Sequence, residues 1–316
     1  MKKKVLFIFL FSSLIAFSQE KFSKEISFIT DNDLYTSTYD DRYYTNGMFL
    51  SFKYLAKKIN NSLGKKILEW QIGHEMFTPA KANTENINEH DRPFAGYLFG
   101  AFSINRVYKN KQNFKTTIQL GVIGPNAYAM EMQNFIHNIY GFKKAEGWKY
   151  QIKSALGINF DTDYNRFITK NKSNHLDLTW VNSAKLGTVY TNISTGLYTR
   201  IGFKPLQSFA NSIAFNTNIN NKNNSYYRES EAFIFIKPTI RYAIYDATLQ
   251  GSFLNKGSEI TNELESLIFH IQAGFKFTVN RLNFGYTFNY NTNKSKGLKF
   301  DNGHKYGSIN INYLIR

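Results

Sequence analysis

The chain has 316 residues, no cysteine, a formal charge of +16 at neutral pH and 17% aromatic residues, chiefly 29 Phe and 21 Tyr. Without cysteine there is no disulfide framework and no thiolate chemistry, so burial and hydrogen-bonded ladders must hold the fold. The basic balance suits anionic partners; an export signal at the N-terminus makes lipid headgroups the expected ones and argues against nucleic acid.

That signal occupies the first residues. Lys2-Lys3-Lys4 precedes an almost unbroken apolar run from Val5 to Phe17, and Ser18-Gln19-Glu20 restores polarity. The run is too short and wrongly flanked for a transmembrane helix, so residues 1–18 are expected to be a secretory signal peptide cut near Ser18-Gln19. Its loss lowers the formal charge from +16 to +13. Residues 19–316 then form one domain, with no internal repeat.

No later run approaches the ~18 apolar residues of a membrane-spanning helix. What recurs is period-2 alternation. The first candidate strands, 24–33 and 43–55, carry Asn32-Asp33 at the end of one and Asp41-Arg42-Tyr43-Tyr44-Thr45-Asn46-Gly47 at the start of the next. Acidic, amide and hydroxyl groups gathered at two strand ends are costly in a membrane wall unless they bind something. Asp40-Asp41-Arg42 also reads as a structural ion-pair network at a barrel rim, and Tyr43-Tyr44 as part of an interfacial aromatic girdle. Further strands are expected near 67–77, 94–107 and 113–123.

Residues 126–142 break the pattern and predict a helix, centred on about 128–140. Asn126 is the expected N-cap, Ala129 to Tyr140 contains no Gly or Pro, and Gly141 stops it. Gln133 and His137 are i and i+4 and share a face. A short helix between barrel strands is expected at the rim, covering something.

Strands are expected again near 148–160, 175–186, 188–203, 232–244 and 246–254. The pair 269–279 and 282–290 is the clearest: Phe269, Ile271, Ala273, Phe275 and Phe277 alternate with His270, Gln272, Gly274, Lys276 and Thr278. The final strand sets Ile309, Ile311, Tyr313 and Ile315 against Ser308, Asn310 and Asn312. Amphipathic strands of roughly ten residues, the last at the chain terminus, predict an all-β transmembrane antiparallel barrel of about 12 strands. The polar stretches 78–92, 204–229, 255–264 and 291–303 are the expected loops.

Taken in order, Asn32-Asp33, Asp41 to Gly47, Asp91-Arg92-Pro93-Phe94-Ala95-Gly96, Gly121-Val122-Ile123-Gly124-Pro125, Gln133-Asn134 and His137-Asn138-Ile139 make the chain resemble the outer-membrane lipid A 3′-O-deacylases, the LpxR family. The motifs lie in the first half; residues 160–316 resemble the family mainly as barrel. The resemblance implies a calcium-dependent (Ca2+) esterase that removes the 3′-linked acyloxyacyl group of lipid A in the outer membrane of a Gram-negative bacterium, acting on lipopolysaccharide as a monomer. It implies a catalytic role for His137 as base, with Gln133 and Asn32 beside it, and a metal site at Asp33, Thr45 and the carbonyl of Gly47.

The chemistry of these residue types points the same way. A histidine titrating near neutrality can deprotonate water, and a hard cation held by carboxylate, amide and carbonyl oxygens can polarise an ester. The absence of cysteine and of a His pair at ligand spacing argues against zinc, and no G-x-S-x-G elbow supports a serine hydrolase. Two other classes use the same wall: a small-solute porin or structural barrel, and a phospholipase A-type barrel, which needs a serine beside its histidine. The chain departs from the family where Asn83-Thr84-Glu85-Asn86 replaces basic residues expected to hold lipid phosphate, leaving Lys81, Arg92 and Lys65-Lys66 as candidates. Lys143-Lys144 stands where an acidic residue is expected, with Glu146 nearby, so another glycolipid or a phospholipid is the alternative substrate.

Overall fold

In the computed structural model, residues 22–36, 42–57, 63–141, 145–220 and 230–316 are described. The expected signal peptide, Asp40-Asp41 and Lys143-Lys144 lie outside them. Twelve strands run in order: β1 (Lys24–Asn32), β2 (Tyr43–Leu55), β3 (Leu63–Thr78), β4 (Ala95–Tyr108), β5 (Gln112–Ile123), β6 (Ala155–Lys170), β7 (Leu176–Gly187), β8 (Tyr190–Gly202), β9 (Ala232–Asp246), β10 (Leu267–Val279), β11 (Leu282–Asn291) and β12 (His304–Ile315). Each pairs antiparallel with its sequence neighbours, and β1 closes onto β12 from Lys24↔Ile315 to Asn32↔Gly307. Closure leaves no strand edge; in hydrocarbon each unpaired backbone group would cost several kcal/mol. No helix among the described residues is long and apolar enough to cross a membrane; the strands are the spanning elements.

Alternation decides the two faces. On β1, Glu25, Ser27 and Asp31 are buried in the lumen while Ile26 and Phe28 face out. On β3, Trp70 and Ile72 face out, 56% and 63% exposed, a lipid-facing pattern on a chain of charged interior residues. Short turns at 109–111, 171–175 and 280–281 share one end with the start of β1 and the end of β12, the periplasmic end by barrel convention. The segments 79–94, 124–141, 145–154, 247–266 and 292–303 gather at the other, extracellular end.

Three expectations are corrected. Residues 246–254 are not a strand: after β9 the chain makes a short turn of helix, Ala247–Gln250, whose first N–H groups are capped by Asp246 through Thr248 N (2.9 Å). β6 begins at Ala155, because Gly147–Tyr150 is a single 3-10 turn carrying the buried Trp148. Tyr43 and Tyr44 are not interfacial; both are buried, Tyr44 donating to Asp31 Oδ2 and Tyr43 to Asp91 Oδ2, each at 2.9 Å.

The lumen is filled at both ends. The extracellular half holds an aromatic layer of Tyr44, Phe77, Tyr97 and Phe99, against which Phe49, Tyr190, Tyr245 and Tyr306 pack. At the periplasmic end, the segment after β8 folds back as a plug instead of looping outward. Phe209, Ile213 and Phe215 pack on Tyr198, Phe233 and Phe235. Arg200, wholly buried, binds Asp177 through Nε and Nη2 (3.0 and 2.5 Å), Glu231 Oε1 (3.0 Å) and Ser212 Oγ (2.5 Å). Lys65 Nζ reaches Ala210 O, Asn211 Oδ1 and Thr217 O at 2.5–2.8 Å. Breaking a buried charge network of this kind costs about 3–5 kcal/mol.

Candidate active site on the outer face of the barrel

The helix expected over 126–142 is α1, Ala129–Tyr140. Its N-cap is Tyr128, in the left-handed region at φ 56°; Asn126 instead sits in the preceding 3-10 turn, Pro125–Ala127. Gly141 ends the helix at φ 73°, with its N–H on His137 O, as its sequence position predicts. Ala129, Gln133 and His137 form the buried stripe, one residue per turn.

α1 packs on the outside of the wall, not in the lumen. Gly96 has the outward parity of β4, and a Cβ built there would meet the Cβ atoms of Ala129 and Ala127 at 2.5 and 3.1 Å. Only glycine permits that approach. Met76, outward on β3, joins Ala129, Phe94, Ala145 and Trp148 in one apolar cluster that Met132 and Ile136 complete. His74, also outward, contacts Ala127 O through Nε2 at 2.9 Å. Gln133 Oε1 accepts from the Trp148 indole at 2.6 Å, which fixes the side-chain amide against the wall. Tyr128, Phe135 and Ile139 point away, each more than 60% exposed, toward where lipid would lie.

β1 and β2 build the other part of the site on the same outer rim. A bulge between Tyr44 and Asn46 inserts Thr45 into β2, and Thr45 Oγ1 bonds Thr78 Oγ1 at 2.7 Å. The bulge turns two consecutive side chains, Thr45 and Asn46, outward where a regular strand would show one; bulges are frequent beside active sites. Asn32 lies opposite Asn46, Asn46 opposite Met76, and Met76 opposite Gly96. At about 4.8 Å per strand, one outward row thus joins Asn32 to the foot of α1.

Asp33, 1% exposed, opens the turn Asp33–Thr36. Its Oδ1 accepts from Leu34 N and its Oδ2 from Arg42 N, both at 2.9 Å, so it ties the two ends of the β1–β2 connection together. Asn32 Oδ1 also accepts from Leu34 N, at 2.8 Å. Gly47 pairs with Asp31 on one side and Glu75 on the other, and its missing side chain leaves the space the Tyr44 hydroxyl occupies. Asn32, Asp33, Thr45 and Gly47 therefore share one rim, and Gln133 and His137 share the helix face toward β3 and β4.

The motifs of the sequence contain Asn46 and Gly96 without showing a role for either, and they do not include Trp148 or Thr78. Asn46 Oδ1 is buried without a hydrogen-bond partner, a position that costs about 1–3 kcal/mol unless something binds it. Two phosphate candidates are displaced: Lys65 holds the periplasmic plug, and Arg92 is 4% exposed, bonded to Pro93 O and Thr248 O and stacked on Phe77. Burial also pulls the Arg92 guanidinium down to about 10. Lys81 stays at the extracellular rim, paired with Glu89 at 2.5 Å.

The family model described as outer membrane protein LpxR matches residues 5–315. The chain belongs to the LpxR family. The barrel is accordingly an outer-membrane protein. Among solved structures, it is similar to LpxR from Salmonella typhimurium, at 18% identity and a TM-score of 0.73 over 92% of this chain and 99% of that one. At that identity the likeness is one of fold. The β-domain of the Bordetella autotransporter BrkA (9% identity, TM-score 0.44, 94% and 99% covered) and the translocator domain of NalP from Neisseria meningitidis (10%, 0.39, 99% and 94%) share only general barrel form. No curated protein sequence matches.

Proposed function

We propose that this LpxR-family barrel is a calcium-dependent ester hydrolase that removes the 3′-linked acyloxyacyl group from lipid A, delivered to the outer membrane by a signal peptide over residues 1–18 and acting as a monomer. The observation that carries the reading is the placement of a helix with a buried polar stripe, Gln133 and His137, on the lipid side of the wall. A porin has no use for such a stripe, and the aromatic layer and plug occupy both ends of its would-be channel.

In this reading His137 takes a proton from the attacking water, a step worth roughly 10²–10⁴ in rate. Gln133, held by Trp148, orients the water or the ester. Asn32 lies beside Asn46 on the rim and presents an amide to the sugar side of the substrate. Phe135 and Ile139 keep the helix seated in the leaflet from which the lipid comes.

No trio of His, Cys, Asp or Glu able to hold a metal gathers among the described residues. A cation here would lean on one carboxylate and neutral oxygens, which suits calcium and not zinc. The unpartnered buried Oδ1 of Asn46 is the kind of oxygen such an ion uses. Asp33, Thr45, the Gly47 carbonyl and Asn46 are the proposed ligands. Calcium, when bound, supplies a Lewis acid for the ester carbonyl and its oxyanion.

The test is mass spectrometry of lipid A from a Gram-negative host lacking its own deacylase, with and without this chain, alongside His137→Ala and Asp33→Ala. Detergent-solubilised protein is assayed with calcium and with a chelator. Loss of the 3′ acyloxyacyl mass that requires His137, Asp33 and calcium supports the reading. Unchanged lipid A from a correctly folded barrel overturns it.

A further inference from the structure

Between the aromatic layer and the plug lies a polar chamber of about 560 Å³, and its charges do not balance. Along one wall the ions are matched: Lys53 pairs with Glu25 at 3.0 Å and Lys115 with Glu69 at 2.6 Å. Asp31 accepts from Tyr44 and Ser308. The opposite wall, β9 and β10, differs. Lys237, Arg241 and Lys276 line the chamber there, and among the described residues none has a carboxylate within 4.0 Å or donates a hydrogen bond. Among the described residues, Asp163 is the one acid lining the chamber that is not otherwise bonded.

The unmatched charge coincides with an unmatched donor: Arg241 Nε is buried and has no partner. Gln272, opposite Lys237, adds a side-chain amide to the same wall. A half-buried cation stripe without counter-charge, with a buried guanidinium N–H that has no acceptor, is unfavourable unless an acceptor-rich anion joins it.

We propose that the mid-barrel chamber holds an oxyanion of the phosphate or sulfate class against Lys237 and Arg241, as a counter-ion built into the folded barrel. The site is separate from the outer-face site. A lipid headgroup cannot be its source, because the wall is closed by twelve paired strands and the lumen is filled above and below. The chamber is many times larger than one phosphate, so the remaining space is water.

The test refolds the full mature chain from urea into detergent, in phosphate or in chloride at equal ionic strength. Retained phosphate is counted after desalting, and thermal unfolding is followed; Lys237→Gln and Arg241→Gln, singly and together, are compared. The expected result is about one phosphate kept per wild-type chain, with each single substitution weakening retention about tenfold. Neutralising a repelling wall should also raise the unfolding temperature in chloride while removing the phosphate-specific gain. Heat-shifted gel migration verifies that each variant is folded. No retained phosphate, or an equal thermal response in the double variant, overturns the proposal. Deacylase activity is not part of the readout, so this test stands or falls apart from the proposed function.

Discussion

Adding one methyl group at Gly96 should separate the helix from the wall without touching any proposed catalytic side chain. The built Cβ lies 2.5 Å from Ala129 Cβ, against about 3.5–4.0 Å for carbon atoms in contact. The first turn of α1 must therefore retreat by about 1 Å. Over-packing of this kind costs about 1–3 kcal/mol locally, small beside a barrel of twelve strands. A catalytic group displaced by about 1 Å loses on the order of 10²-fold in rate, and α1 is rigid enough to carry His137 with it. Gly96→Ala should accordingly fold, shift normally on a gel, and deacylate lipid A about a hundredfold more slowly. Ala129→Gly in the same chain reopens the gap and should restore most of the rate. Full activity in Gly96→Ala, or no rescue by Ala129→Gly, would refute the claim that this contact sets the position of the base.

Trp148→Phe removes the indole donor from buried Gln133 Oε1, a loss of about 1–3 kcal/mol; the turnover number should fall tenfold or more while the barrel unfolds at its usual temperature, as kinetics and thermal melts will read. Asn46→Leu should raise the calcium concentration needed for half-maximal activity, measured by titration after chelation, and an unchanged requirement would remove Asn46 from the ligand set. Arg200→Met strands Asp177 and Glu231 in the plug; urea unfolding should show a loss of about 3–5 kcal/mol, with lipid A processing by the protein still folded left near the wild-type rate.

The wall was legible because lipid on one side and a polar lumen on the other impose alternation on every strand. Phe269 to Val279 and Ile309 to Ile315 carry it plainly, and both are strands. Residues 246–254 carried enough apolar residues to imitate a strand, but Asp246 caps a turn there and Gly251, at φ 72°, redirects the chain. The plug was the larger surprise. Residues 204–229 look like a polar loop by composition, yet Phe209, Ile213, Phe215 and Ile219 are spaced to be buried, and one matching partner, Lys65, is on a strand far away in sequence while Arg200 ends the strand just before. Asn32, Asp33, Gln133 and His137 are proposed from their motifs, whereas Asn46, though inside one of them, had no role to read there, because its outward turn depends on the bulge at Thr45, which no spacing reveals. Tyr43-Tyr44 misled for the same reason: a φ of 65° at Tyr43 breaks the alternation on which the girdle reading rested.

Because α1 lies against the outside of the cylinder, with Phe135 and Ile139 turned to the lipid, the chemistry proposed for it is confined to a surface. A substrate would arrive by sliding within its own leaflet, present its ester sideways, and leave its cut acyl chains among their neighbours without crossing the barrel. Turnover would then follow the crowding of lipid A per unit area of membrane, and diluting the vesicles in buffer would leave the rate per enzyme unchanged.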